Sequence, residues 1–130
     1  MIQTKKRTTT RNPEQTKKRI LEAAIQEFSE RGFARGRMDK VAELSGANKR
    51  MIYYYYGDKD GLFTAIVEHE YLRFRAAEEA VCSPDLPPVM ALQRLVEFTW
   101  NYYLENPNYL TLVNSQNLFK AEHLKGLKRF

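Results

Sequence analysis

Cysteine is almost absent from this 130-residue chain, with Cys82 as its single example. One thiol excludes an internal disulfide framework and fits a reducing compartment such as the cytoplasm. Histidine is nearly as scarce. His69 and His123 lie far apart in sequence, and with one cysteine they make a poor zinc set, so neither a metal nor a cofactor is expected. No apolar run approaches the roughly 20 residues needed to span a bilayer, which argues against a membrane partner. The N-terminus (Lys5, Lys6, Arg7, Arg11) is basic and threonine-rich, without the apolar stretch of a signal peptide. Six glycines punctuate helices and form no phosphate-binding loop. No nucleophile–base pair is visible either, which argues against an enzyme.

Against these absences, hydrophobic residues make up 43% of the chain, enough for a packed core. The length suits one domain, or a small domain with part of a second. Charge is uneven. Residues 1–60 hold fourteen Lys/Arg against eight Asp/Glu, whereas residues 61–130 hold seven against eight. A basic first half suggests a module that binds a polyanion, joined to a second module with another task.

Helical spacing dominates. Asn12-Pro13-Glu14 opens a first helix over about 13–31, with Ile20, Leu21, Ala24, Ile25 and Phe28 as its apolar set and Gly32 as its C-cap. Glu22, Gln26 and Glu27 are assigned to other faces. A short helix over 37–45 directs Met38, Val41, Ala42 and Leu44 to a core, and Gly36 can serve as its N-cap. After the break at Ser45-Gly46-Ala47-Asn48, Asn48 caps a second short helix, Lys49–Tyr55. Asp58 caps a fourth, running from Lys59 to about Val81 with Leu62, Phe63, Ile66, Val67, Tyr71 and Phe74 inward. Three prolines in five residues mark Cys82–Pro88 as a linker. A fifth helix spans Val89 to Tyr103, and a sixth Tyr109–Leu124. No segment alternates with period two, so the chain is expected to be all-α.

Two short helices joined by a glycine-bearing turn and buttressed by longer ones form a helix-turn-helix, around residues 36–57. Its first helix crosses the phosphate backbone, and its second enters the major groove. Val41, Ala42, Leu44 and Ile52 are expected to lock the pair. The exposed face of the second helix offers Lys49, Arg50, Met51, Tyr53 and Tyr55 to DNA, with Asn48 at its start.

The runs Ile20-Leu21-Glu22-Ala23-Ala24, Phe28-Ser29-Glu30-Arg31-Gly32-Phe33, Val41-Ala42-Glu43-Leu44-Ser45-Gly46-Ala47 and Ile52-Tyr53-Tyr54-Tyr55-Tyr56-Gly57-Asp58-Lys59-Asp60-Gly61-Leu62-Phe63 resemble the TetR family of transcriptional regulators over about residues 14–75. The resemblance implies that Lys49, Arg50 and Met51 face base edges. It implies that Tyr53 and Tyr55 touch phosphates through their hydroxyls, and that Lys59 clamps a phosphate. Tyr54 is expected to pack inward. Where family members commonly carry a threonine pair, this chain has Gly36-Arg37, which makes Arg37 a further candidate DNA contact. Tyr55 stands where histidine is common, so this contact should be insensitive to pH.

The resemblance further implies a domain order. Residues 1–12 form a flexible basic arm and residues 13–58 the DNA-binding domain, with its motif over about 37–56. Residues 59–81 form a connecting helix, and 82–130 begin a helical ligand-binding and dimerisation region. Trp100, Tyr103, Tyr109 and Asn117 are candidate effector contacts, with aromatic walls and polar tips. The implied partners are a palindromic double-stranded DNA operator, a small-molecule effector and a second copy of the chain. Family members generally continue through further helices beyond Phe130, so the chain is either truncated or pairs through its fifth and sixth helices. A rival from another class is a basic helical interaction module that meets an acidic protein, and it predicts only weak, sequence-blind DNA binding.

Overall fold

The computed structural model describes residues 12–118, with side chains through Gln116. Residues 1–11 of the basic arm expected over 1–12, His123, the stretch to Leu124 and the Asn117 side chain therefore lie outside the described residues. Six helices follow in order: α1 Pro13–Arg35, α2 Met38–Ser45, α3 Lys49–Tyr56, α4 Lys59–Val81, α5 Pro88–Glu105 and α6 Pro107–Leu118. Among the described residues there is no strand, and no helix is long and apolar enough to cross a membrane. The chain divides into two compact units, Met1–Ile66 and Val67–Phe130, with the division inside α4.

In the first unit, α1 starts as its sequence dictates. Asn12 Oδ1 accepts from Gln15 N at 3.2 Å, and Pro13 fills a position that needs no amide hydrogen. Helical geometry breaks at Gly32, whose φ of 75° suits glycine, and then resumes to Arg35. The core gathers Ile20, Ala24, Phe28, Val41, Ile52, Leu62, Phe63 and Ile66, all fully buried. Burying side chains of this size stabilises by about 1.5–3 kcal/mol each. Phe28, Phe33 and Phe63 cluster with ring centroids 4.9–6.2 Å apart.

Three expectations change here. Glu27 is not on an outer face: it is 1% exposed. It lies seven residues after Ile20 and three after Ala24, so it belongs to the inward stripe. Gly36 does not cap α2. It closes α1, with its N–H donating to Gly32 O at 3.0 Å, and the N-cap position of α2 falls to Arg37. What requires glycine at 36 is space, because a Cβ there would stand 2.3 Å from the Phe28 ring. Leu44 is 40% exposed, because the inward face of α2 runs through Met38, Val41 and Ser45 and leaves Leu44 on its flank. Ser45 takes that inner place by bonding locally: its Oγ donates to Ala42 O and accepts from Ala47 N.

In the second unit, Phe74, Phe98, Tyr102 and Tyr109 pack with centroids 5.0–5.5 Å apart. Helix α6 begins at Pro107 rather than Tyr109, since proline's fixed φ suits a first helical position. Pro88 likewise opens α5, and the linker shortens to 82–87.

Candidate nucleic-acid interface

The interface is built from α2, the turn at 46–48, α3 and the start of α4. Gly46 closes α2 at φ 74°, and its N–H donates to Ala42 O at 3.0 Å. That left-handed residue turns the chain sharply enough for α3 to begin three residues later. Asn48 is extended, and its Oδ1 accepts from Met51 N at 2.8 Å, as the sequence predicts for an N-cap. Helix α2 has no side-chain cap of its own. Instead, buried Glu27 Oε2 accepts from Arg37 N at 2.9 Å, with Arg31 Nε 3.5 Å from the same oxygen. A carboxylate held by α1 thus sits at the positive end of α2 and fixes where that helix begins.

Helix α3 has a single buried residue, Ile52. Its aromatic run divides by register. Tyr56, one turn after Ile52, reaches back so that its hydroxyl donates to Lys17 O at 3.3 Å, and burial raises its pKa. Tyr54 lies about 200° around the helix from Ile52, and it is 81% exposed. The expectation that Tyr54 packs inward is therefore corrected: the inward aromatic is Tyr56. Tyr53 is 41% exposed and Tyr55 half-buried, with the Lys17 ammonium 5.4 Å from the Tyr55 ring centre. Arg37, Asn48, Lys49 and Arg50 are exposed and Met51 is half-buried, so α3 presents cations and phenol hydroxyls on one side.

Two of the expected cations are engaged. Lys49 Nζ lies 2.7 Å from Asp39 Oδ1 on α2, and this pairing raises the lysine pKa and lowers that of the aspartate. Lys59 Nζ donates to Ala34 O at 3.2 Å and sits 4.8 Å from the Phe33 ring centre. An ammonium has three donors, so this bond pins the start of α4 to the end of α1 while leaving capacity for an anion. Asp58 Oδ1 caps α4 by accepting from Gly61 N at 2.7 Å.

A model of the bacterial regulatory proteins of the tetR family matches residues 20–66, and a model of the tetracyclin repressor-like C-terminal domain matches residues 88–130. The chain belongs to the TetR family. It is 38% identical over 112 residues to the HTH-type transcriptional repressor NicS of Pseudomonas putida, covering 86% of this chain and 53% of that one. With the HTH-type transcriptional regulator RutR of Escherichia coli it shares 29% identity over 85% of this chain and 49% of RutR. Among solved structures, a TetR-like transcriptional regulator from Rhodococcus sp. RHA1 aligns with a TM-score of 0.75 and 33% identity, over 82% of this chain and 58% of that one. The chain spans about half the length of the curated relatives it matches.

In the second unit of this TetR-family chain, two of the candidate effector residues meet: the Tyr103 and Tyr109 rings stack with centroids 6.0 Å apart. Trp100 is 65% exposed, Tyr103 half-buried and Tyr109 buried. Desolvation pushes the Tyr109 hydroxyl well above its usual pKa, as expected of a core phenol. None of the three lines a cavity of about 580 Å³ bounded by Cys82, Arg94, Glu97, Asn101, Tyr102 and Glu105. Arg94, Glu97, Asn101 and Glu105 follow at helical intervals along α5, a polar stripe visible in the sequence but not singled out there. Among the described residues no group of three or more His, Cys, Asp or Glu is placed to hold a metal.

Proposed function

We propose that this chain is a DNA-binding transcriptional regulator, with α3 entering the major groove of a double-stranded operator and α2 lying across the backbone. The observation that carries this reading is the outward face of α3: Lys49, Arg50, Tyr53 and Tyr54 are exposed on a helix whose inward side holds buried Ile52 and the Tyr56 hydroxyl bonded to α1. Arg50 and Lys49 suit guanine acceptors, and Met51 a thymine methyl. Tyr53, Tyr55, Arg37 and Lys59 suit phosphates.

By its likeness to repressors such as NicS, the chain acts as a ligand-responsive repressor that binds a palindromic operator as a homodimer in the cytoplasm. On this reading residues 13–58 bind DNA, 59–81 connect, and 82–130 begin the effector and dimerisation region. Binding of a small molecule there would alter the spacing of two recognition helices, so that one loses register with its half-site.

Gel-shift titrations at two salt concentrations test the proposal. Lys49→Ala or Arg50→Ala should abolish preference for the bound sequence over random DNA. Lys59→Ala should weaken binding to every sequence and flatten its salt dependence by about one charge. Because Lys59 also pins Ala34, its melting temperature must be measured alongside. Equal loss on specific and random DNA from Arg50→Ala would sink the assignment of base reading to α3. Weak, sequence-blind binding by the unaltered chain would favour an acidic protein partner instead.

A further inference from the structure

The helix-turn-helix contains an ionic contact whose acidic member is absent from every base-reading expectation above. Asp39 stands in the first turn of α2, and Lys49 is the first residue of α3. Their side chains meet at 2.7 Å while remaining 61% and 49% exposed, so the pair faces solvent rather than the core. Arg37 lies close enough to act on both, favouring the carboxylate and disfavouring the ammonium. A plus–minus–plus cluster therefore spans the two helices on the side where α3 starts.

This contact differs from an ordinary surface pair in its place on α3 and in what it would meet on DNA. Helix α3 has no acid in its first turn and places a cation at the positive end of its own dipole. Asp39 supplies the missing anion from the neighbouring helix, which fixes the ammonium in place. A carboxylate near a duplex is repelled by phosphates, and this repulsion is offset only where a base offers it an amino group. In the major groove those groups are the exocyclic amines of cytosine and adenine, whereas lysine seeks acceptors such as guanine O6 and N7. Exposed ion pairs contribute little to stability, so removing the Asp39 carboxylate should leave the fold intact.

We propose that Asp39 is a specificity-determining residue: its carboxylate positions the Lys49 ammonium and accepts from cytosine N4, so that the two side chains together select a G·C pair. The inference rests on the reading of α3 as the groove-entering helix. Asp39 rejects bases that offer it only acceptors, and the penalty it imposes on phosphates suppresses binding to random sequence.

The test is selection of bound sites from randomised duplexes by the full chain, compared with Asp39→Asn and Asp39→Ala, with thermal melting of each. Both variants should keep the melting temperature, because the side chain is exposed. Preference at one G·C position should fall by about tenfold or more. Affinity for random duplex should rise, and its salt dependence should steepen by about one charge as the freed Lys49 neutralises a phosphate. If the unaltered chain enriches a site and both variants return the same base preferences at every position, Asp39 is only half of a surface ion pair and the inference fails. A uniform loss across all sequences with a lowered melting temperature overturns it as well, since that assigns Asp39 a purely structural role. If the unaltered chain enriches nothing, the reading of α3 itself fails, a result distinct from both.

Discussion

Helices α3 and α5 both expose large side chains, but of opposite character. The outward face of α3 carries Lys49, Arg50, Tyr53 and Tyr54, groups that hydrogen-bond water when free and a polyanion when bound. The outward face of α5 carries Val89, Leu92, Val96, Trp100 and Leu104, each 60–69% exposed and, apart from the Trp100 indole N–H, without a group that can bond either. Inward, the contrast repeats. Fully buried Ile20, Phe28, Ile52 and Phe63 center the first unit on aliphatic and phenylalanine packing, whereas the second relies on tyrosines. The first unit thus completes a core and presents a polar working face. Its stability should depend on few residues, and its outer surface should tolerate change.

That contrast can be broken in order of expected effect. Phe28→Ala removes the ring that packs against Phe33, Phe63 and the Gly36 backbone. It should cost about 3–5 kcal/mol, read as a large drop in melting temperature. Gly36→Ala drives a methyl into that ring and should cost about 1–3 kcal/mol by denaturant titration. Asn48→Ala deletes the α3 cap and should cost about 1 kcal/mol, with fraying of α3 visible as faster amide exchange at Met51. Val96→Gln on the outer face of α5 should change stability by less than about 0.5 kcal/mol. A loss as large as that of Phe28→Ala would show that the apolar face of α5 is not free.

The smallest effect concerns pH. Asp39 has a lowered pKa, so its contribution is complete above the ordinary carboxylate range and is lost only as pH falls through the lowered value. Lys49, with its raised pKa, keeps its proton throughout neutral conditions. Lowering the pH from about 8 to about 5 should therefore leave the Asp39–Lys49 pair intact, as judged by an unchanged lysine side-chain NMR signal.

Much of the first unit was legible because local signals and tertiary needs coincide there. Asn12, Asn48 and Asp58 cap helices in the structure as their positions in the sequence imply. The division of the aromatic run goes against expectation: Tyr54 was expected inward, whereas the register from Ile52 turns it out and brings Tyr56 in. What was not legible depends on contacts between elements. Glu27 looked like one more surface acid until the α2 amide it bonds came into view. Gly36 read as a cap, because nothing local announces that Phe28 occupies the place of its Cβ. Asp39 and Lys49 are ten residues apart, and only the turn at Gly46 brings them together. In the second unit, aromatic residues with polar tips satisfied the pattern of a pocket and of a core equally. The structure uses Tyr102 and Tyr109 for packing.

NMR titration of the labelled chain with double-stranded DNA shows directly which exposed helix meets the duplex. Backbone signals of Lys49, Arg50, Tyr53 and Tyr54 should shift with increasing DNA, while those of Val96 and Trp100 on α5 stay in place. Shifts confined to α5, with the α3 signals unmoved at saturating DNA, would contradict the account.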